Sequence, residues 1–416
     1  MASRNNPFVR LRSPEFLVAL VCVAQVFVQI GSAFWMALLP GMMAQWQLSN
    51  SEAGWITAIF FGAYMVSVPV LVTLTDRFDT RSVYLLGVGL TVVGHVLFST
   101  LAEGFWSALA FRALTGIGWA GTYMTGLKLL ADKVEGKLMS RATAGHAASI
   151  GISGALSFVC AEWIAHLAGW RVAFLAAGLS AALAWLLIVL AFPRQRREQS
   201  TGEAALFDFR PVFRNRSAMA YAITYGIHTF EFHAVRGWGV VFLAFVAGTT
   251  GVESFLSPPL ALTLLGLIAT VTSVMGNEAA IRFGRRHLIA FALVASAICA
   301  VLLGTLGPYS YAFAVAVLLI YGGFISLDSA SLTAGSAGSA DPERRGATLA
   351  VHSMLGYAGG FIGPLLVGWI LDLAGGTTHT GWALAYLAVA GITLLALLLF
   401  AVMRPKALAG DRSSAA

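Results

Sequence analysis

The stretch "DRFDTRSVYLLGV", residues 76–88, returns in altered form as "IRFGRRHLIAFAL" at residues 281–293. Arg77 and Phe78 of the first copy recur 205 residues later in the second copy. Each copy follows a long apolar run and carries basic residues ahead of the next apolar run. A repeat of this kind suggests that one half of the chain duplicates the other.

A second repeat supports the same interpretation. The segments "WIAHLAG" at residues 163–169 and "WILDLAG" at residues 369–375 are 206 residues apart, and His146 and His352 have the same spacing. One short match can arise by chance. Two matches at nearly one offset, each at a corresponding place, indicate a duplicated half in parallel orientation.

The composition is that of a membrane protein. The 416 residues are 58% hydrophobic and 11% charged, whereas a soluble domain carries about 25% charge. The three cysteines are far apart in apolar runs, which gives neither a disulfide framework nor a metal-binding spacing. The net charge of +7 comes without a basic run interleaved with aromatic residues, so no nucleic-acid partner is expected.

Apolar runs long enough to cross a bilayer, about 20 residues each, occur twelve times. The predicted spans lie near residues 15–39, 52–75, 82–102, 107–130, 142–166, 171–192, 217–246, 256–281, 287–307, 309–334, 346–373 and 381–403. The first one is too long for a cleaved signal peptide and predicts an uncleaved helix.

The predicted fold is therefore an all-α integral membrane protein with twelve transmembrane helices in two pseudo-symmetric six-helix bundles. The N-terminal bundle covers residues 1–192, a cytoplasmic linker covers residues 193–216, and the C-terminal bundle with a short cytoplasmic tail covers residues 217–416.

The distribution of basic residues predicts the orientation. If both termini are cytoplasmic, nearly all Lys and Arg between the spans fall on the cytoplasmic side, and the external loops keep only Arg171. This asymmetry follows the rule that cytoplasmic loops of membrane proteins are rich in Lys and Arg. We therefore expect a multi-pass protein of the cell (inner) membrane with both termini in the cytoplasm.

The first loop copy resembles a motif of the major facilitator superfamily, Gly-x-x-x-Asp-Arg/Lys-x-Gly-x-Arg/Lys. Asp76, Arg77 and Arg81 fit this pattern, while Val72 and Asp79 replace its two glycines. The resemblance covers nearly the whole chain. It implies two six-helix halves around a central cavity and a gating role for the three matching residues.

The second loop copy departs further from the same motif. It keeps Arg282, Gly284 and Arg285, but Ile281 stands where the motif has an Asp. Glu278, one helical turn earlier, is a candidate to supply the missing carboxylate.

The fourth predicted span resembles the family's Arg-x-x-x-Gly-x-Gly pattern through Arg112, Gly116 and Gly118. Its glycines also match the dinucleotide-binding pattern GxGxxG, but inside a spanning helix small residues indicate close helix packing. The drug–proton antiporters of the superfamily have a Gly-Pro-rich fifth span, and this chain has Gly151 and Gly154 there without a Pro. This difference counts against a multidrug antiporter without excluding one.

Charged residues mark the fourth, seventh and tenth spans: Arg112, Lys128, Glu231, Arg236 and Asp328. A charge at the bilayer centre costs about 3 kcal/mol on insertion scales, and such residues face a bundle interior or a wet cavity. The resemblance implies that spans one, four, seven and ten line the cavity.

Gln25 and Gln29 share one face of the first span, so we expect them to line the cavity as well. Arg112 is also a candidate for the substrate site. The alternative is that it serves as a structural partner for a helix end or a carboxylate.

The seventh span contains the most informative stretch, "YGIHTFEFHAVRGW", residues 225–238. Tyr225, His228 and Arg236 share a face with Phe232, and we predict that this face binds substrate. Glu231 is rotated away from Arg236, and desolvation at this depth favours its protonated form. We predict that Glu231 carries the coupling proton. The alternative is a permanent ion pair with Arg112 or another cation.

A gate is predicted from Lys128 and Asp328, which lie toward the cytoplasmic ends of the fourth and tenth spans. Their opposite charges are suited to pairing when that side closes. The alternative is that each residue has a different partner.

The sequence predicts a secondary transporter of a small polar or anionic solute that works by alternating access and is coupled to protons. Arg favours anions because its planar fork matches their geometry. The alternatives are a drug/proton antiporter, a non-transporting membrane sensor and, with least support, a membrane enzyme. No catalytic motif, cofactor or metal site is expected, and the partners are substrate, protons and the lipid bilayer.

Overall fold

The computed structural model describes residues 13–131, 134–192, 209–251, 256–406, 408 and 411. Within these ranges every regular element is helical. The prediction of an all-α fold is confirmed.

The first half contains eight helices in its described part. They are α1 (Pro14–Gln29), α2 (Phe34–Trp46), α3 (Asn50–Arg77), α4 (Thr80–Leu101), α5 (Phe105–Ala120), α6 (Tyr123–Ala131), α7 (Gly136–Ala168) and α8 (Trp170–Ala191). Ser13 begins the series by capping α1, since its Oγ accepts from Phe16 N at 3.2 Å and Pro14 occupies the first turn.

The described part of the second half also has eight α-helices. They are α9 (Arg210–Arg214), α10 (Arg216–Thr250), α11 (Pro258–Phe283), α12 (Arg285–Thr305), α13 (Tyr311–Leu327), α14 (Ser329–Gly338), α15 (Arg345–Leu373) and α16 (His379–Met403). Two short 3-10 helices, Gly307–Tyr309 and Pro342–Arg344, complete this half.

Helix boundaries repeat between the halves at the spacing seen in the sequence. Helix α4 begins at Thr80 and α12 at Arg285, 205 residues later. Helix α5 begins at Phe105 and α13 at Tyr311, 206 residues later. The fourth and tenth predicted spans are also both broken into two helices, after Ala120 in the first half and at Asp328 in the second.

Eleven segments of the described chain are long and apolar enough to cross a membrane. They correspond to all the predicted spans except the fourth, where α5 and α6 are separate helices of 16 and 9 residues. Glycines bring α4 and α5 close together: a Cβ added at Gly87 would lie 2.7 Å from Gly121 Cα. The fourth-span glycines therefore have the packing role expected from the sequence.

The described chain divides into two compact units. Unit 1 comprises the described residues of Met1–Leu38 and Ala63–Gly202, and unit 2 comprises those of Leu39–Gly62 and Glu203–Ala416. The segment Leu39–Gly62 belongs to unit 2 through contacts of its own. Asp372 on α15 accepts hydrogen bonds from the backbone nitrogens of Asn50 (3.0 Å) and Ser51 (2.7 Å) at the start of α3.

Helix α10 is held firmly against α15 within unit 2. Thr229 Oγ1 donates to Gly356 O at 2.6 Å, and Trp238 Nε1 donates to Pro364 O at 2.8 Å. Gly363 permits the close approach, since a Cβ there would lie 3.1 Å from Ala234 N. These contacts fix the rotation of α10, and so determine which of its side chains face the other helices of the unit.

Candidate functional site

A column of rings and one cation runs along a single face of α10. The rings of Tyr225 and His228 lie 5.6 Å apart, and those of His228 and Phe232 lie 6.4 Å apart with only 6° between their planes. The Arg236 guanidinium lies 5.3 Å from the centroid of the Phe232 ring. Steps of three and four residues bring these side chains onto one helical face.

The position of Arg236 suits a cation that attracts an anion. Its side chain is half-buried, and the face of Phe232 supports the guanidinium by a cation–π contact. Such a contact orients the guanidinium beside the ring. The arrangement can therefore offer positive charge and aromatic surface to the same ligand.

Glu231 is oriented toward other helices of unit 2. It is 1% exposed, its Oε1 accepts from Tyr321 Oη at 2.8 Å, and its Oε2 lies 3.3 Å from Ser296 Oγ. Both partners are neutral hydroxyls, from α13 and α12. Among the described residues of unit 2, no Lys or Arg side chain forms an ion pair with Glu231. A buried carboxyl group with neutral donors can exist with or without its proton, since no fixed cation demands the charged form.

A second polar contact connects α10 to the break between α13 and α14. His228 Nδ1 lies 3.0 Å from Asp328 Oδ1, and both side chains are buried. Asp328 is the residue between the two helices. His228 carries a positive charge only when protonated, so the strength of this contact depends on its protonation state.

The two predicted gate residues each have a partner within their own unit. Asp328 contacts His228 in unit 2, whereas Lys128 Nζ donates to Thr75 Oγ1 at 2.7 Å in unit 1. A direct pairing of Lys128 with Asp328 during the transport cycle stays a prediction.

Some residues of this region were not assigned to the site from the sequence. The ring of His352 stacks on Tyr225 at 3.9 Å, and its Nε2 lies 3.2 Å from Thr333 Oγ1. Tyr321 could have been assigned to this region from the sequence, because it precedes Asp328 by seven residues, two helical turns, and so lies on the same face. Ser296 could not, since nothing in the sequence indicates which face of α12 meets α10.

The candidate residues of unit 1 lie on α1 and α5. Gln25 is fully buried, and neither atom of its side-chain amide has a hydrogen-bond partner in the described structure. Gln29 is also buried. Arg112 is 1% exposed, and its Nη1 lies 3.4 Å from the carbonyl oxygen of Ser32, in the turn between α1 and α2. This contact resembles the structural alternative for Arg112, a partner for a helix end.

The first loop copy is organised by Asp79, which replaces a motif glycine. Its carboxylate caps α4 by accepting from Arg81 N at 3.3 Å. The Arg81 side chain donates to Val189 O near the end of α8 at 3.2 Å, and Arg77 is exposed. The side chain of Asp76 lies outside the described residues. The gating role of these residues stays a prediction.

The second loop copy binds a carboxylate that the sequence did not predict. Arg285 binds the side chain of Asp411, whereas Glu278 is exposed. The expectation that Glu278 supplies the missing acid is therefore wrong. The carboxylate that binds Arg285 comes instead from Asp411, beyond the end of the last helix.

Comparison with known proteins identifies a large family. A model described as Major Facilitator Superfamily matches residues 21–269 and 254–415. Protein spinster of Drosophila melanogaster is 27% identical over 239 residues, which cover 56% of this chain and 39% of that protein. The sphingosine-1-phosphate transporter SPNS2 of Xenopus tropicalis is 25% identical over 370 residues, 81% of this chain and 69% of that protein. The chain thus spans well under two thirds of the Drosophila protein.

The fold also matches a solved structure. A bacterial homologue of the human lysosomal transporter spinster, crystallised in an inward-facing and occupied conformation, superposes with a TM-score of 0.79. The match covers 96% of this chain and 99% of that one at 16% sequence identity. At this identity the likeness establishes the fold alone.

Proposed function

Because the chain belongs to the Major Facilitator Superfamily, we propose that it is a proton-coupled secondary transporter of a small anionic or strongly polar solute. It is a multi-pass membrane protein and not an enzyme. Transport proceeds by alternating access, in which two halves expose a central site to one side of the membrane and then to the other. The membrane is the cell (inner) membrane, with both termini in the cytoplasm.

One observation carries the proton coupling. Glu231 is buried on α10 with the hydroxyls of Tyr321 and Ser296 as its partners. A carboxyl group in this setting binds a proton when protons are abundant and releases it to a wet cavity when they are scarce. A carboxylate in a fixed ion pair would remain charged throughout.

The substrate class follows from the column on α10. Arg236 provides a charge for a carboxylate or phosphate, and Phe232, His228 and Tyr225 provide flat surface beside it. Arg is better suited than Lys to such anions because its planar fork donates two parallel hydrogen bonds. The favoured ligand is therefore an anion that also has an apolar or aromatic part.

A phosphorylated lipid is a second candidate substrate. The same column of rings that would stack on a small aromatic anion would also accept the chain of an amphiphile, with the phosphate at Arg236. One relative is by its name a sphingosine-1-phosphate transporter, which fits this chemistry.

Thermal stabilisation of the purified protein distinguishes these substrates, because a ligand that binds the folded state raises the melting temperature by mass action. The panel contains matched pairs: nucleosides and their monophosphates, aromatic acids and their amides, and sphingosine and its 1-phosphate. Stabilisation by the anionic member of a pair supports the proposal, and its loss in Arg236→Gln assigns the site. Stabilisation by cationic amphiphiles alone would favour a drug/proton antiporter and contradict it.

A further inference from the structure

We propose that Asp411 is a positioning residue for the second loop copy. It acts through Arg285 and holds the broken part of the tenth span in place. The inference concerns unit 2 alone and does not depend on the identity of the solute or of the coupling ion.

The contact between Asp411 and Arg285 is a bidentate ion pair. Arg285 Nε lies 2.9 Å from Asp411 Oδ2, and Arg285 Nη2 lies 2.9 Å from Asp411 Oδ1. Each side chain is only 5% exposed. Two parallel charge-assisted bonds away from water are stronger than an exposed pair, and removing one partner leaves a buried charge.

The third nitrogen of the Arg285 guanidinium, Nη1, binds the helix that follows the break at Asp328. Arg285 Nη1 donates to Asn277 Oδ1 on α11 at 3.0 Å and to Ser331 O on α14 at 3.1 Å. Ser331 is three residues after Asp328, the residue at the break. One guanidinium therefore connects α11, α12, α14 and the C-terminal segment, at one turn from the contact between Asp328 and His228.

The chain between α16 and Asp411 is itself attached to unit 2. We call its described residues, 404–406, 408 and 411, the C-terminal strap. Lys406 N donates to Ser217 Oγ at 3.0 Å on α10, and Arg286 donates to Pro405 O. Leu408 packs beside Gly338, where an added Cβ would lie 2.9 Å from its side chain. These attachments place the described residues of the strap beside α10, α12 and α14.

Comparison of the two loop copies shows what the strap adds. Arg81 and Arg286, 205 residues apart, each donate to a backbone carbonyl near or beyond the end of the last helix of their half, Val189 O and Pro405 O. This feature is common to both copies. In the second copy Arg285 stands where the first copy has Thr80, and the strap supplies Asp411 as its partner. The strap thus adds a carboxylate for an arginine that the first copy lacks.

Hydrogen–deuterium exchange of the full-length protein in lipid nanodiscs tests the proposal. We expect Asp411→Asn to accelerate amide exchange in Ser329–Gly338 by about tenfold, because Arg285 loses its charged partner and the local opening becomes easier. Asp411→Glu, which keeps the carboxylate, is expected to retain slow exchange. Glu278→Gln, which neutralises an exposed acid one turn before the second loop copy, is the matched control and should have no effect.

Two outcomes would overturn the proposal. The first is exchange in Ser329–Gly338 that is equal in Asp411→Asn and Glu278→Gln. The second is an equal acceleration in Thr80–Leu101 of unit 1, which would indicate general destabilisation.

Discussion

At the scale of single residues, the sequence predicted which side chains of the seventh span share a face but not which residues they contact. Spacing alone placed Tyr225, His228 and Arg236 on one face and Glu231 on another, and the rings of that face do form a column. The hydroxyls beside Glu231 come from α12 and α13. Their positions depend on the rotation of packed helices, which periodicity does not determine.

We predict that the planar geometry of the Arg236 guanidinium, in addition to its charge, contributes to the affinity for an anionic ligand. Arg236→Lys keeps a cation but loses the bidentate geometry and the broad cation–π contact. We expect the affinity for an anionic ligand to fall about tenfold, while the maximal transport rate is largely retained. Dissociation constants from titration calorimetry provide the measurement, with Arg282→Lys, an exposed arginine, as the control. Equal affinity in wild type and Arg236→Lys would rule out a role for the fork.

The hydrogen bond from Tyr321 to Glu231 is predicted to stabilise the folded protein. Tyr321→Phe should lower the free energy of unfolding by about 1–3 kcal/mol, because a buried carboxyl group loses a donor. Tyr386→Phe is the control, since the buried hydroxyl of Tyr386 has no partner in the described structure. In a double-mutant cycle, Tyr321→Phe should cost less in the Glu231→Gln background. Strictly additive effects would show that the two side chains do not interact.

At the scale of elements, the sequence predicted the existence of the spans better than their continuity. The repeat predicted the boundaries of α4 and α12 and of α5 and α13, which do recur at the expected spacing. The breaks after Ala120 and at Asp328 were not predicted, because an apolar run that includes a break has the same hydropathy as one without. The break at Asp328 places a carboxylate beside His228, and a hydropathy pattern does not detect it.

The close crossing of α4 and α5 provides a test of helix packing. Gly87→Ala should lower the free energy of unfolding by about 1–3 kcal/mol, because the new Cβ would lie 2.7 Å from Gly121 Cα. Gly89, two residues later on α4, has no atom within 4 Å of an added Cβ. Gly89→Ala should therefore be neutral or slightly stabilising through its higher helix propensity. Thermal unfolding of the two variants in one detergent gives the comparison, and equal melting temperatures would contradict the packing argument.

At the scale of the whole molecule, composition and the internal repeat predicted the membrane fold, and the resemblance of the loop motif indicated the family. The division into compact units was less predictable. The segment Leu39–Gly62 lies in the first half of the sequence but belongs to unit 2, where Asp372 caps the start of α3. A hydrogen bond between residues 322 positions apart leaves no periodic signal in the sequence.

The orientation of the whole chain is predicted to place both termini in the cytoplasm. Single cysteines at Ser200, which lies outside the described residues, and at Thr378 should react from opposite sides of the membrane in a cysteine-free background. The positive-inside distribution of Lys and Arg is the physical reason. Labelling of intact cells with a membrane-impermeant maleimide should modify Thr378→Cys alone. Modification of both positions from one side would contradict the twelve-span topology.

Proton-driven accumulation by the Glu231→Gln variant tests the central claim most directly. The amide preserves the shape of the side chain and its hydrogen bonds to Tyr321 and Ser296, but it cannot bind and release a proton. In proteoliposomes supplied with the anion that the stabilisation panel identifies, we predict that the variant exchanges substrate across the membrane but no longer accumulates it under a proton gradient. Accumulation equal to that of the wild type would show that Glu231 does not carry the coupling proton.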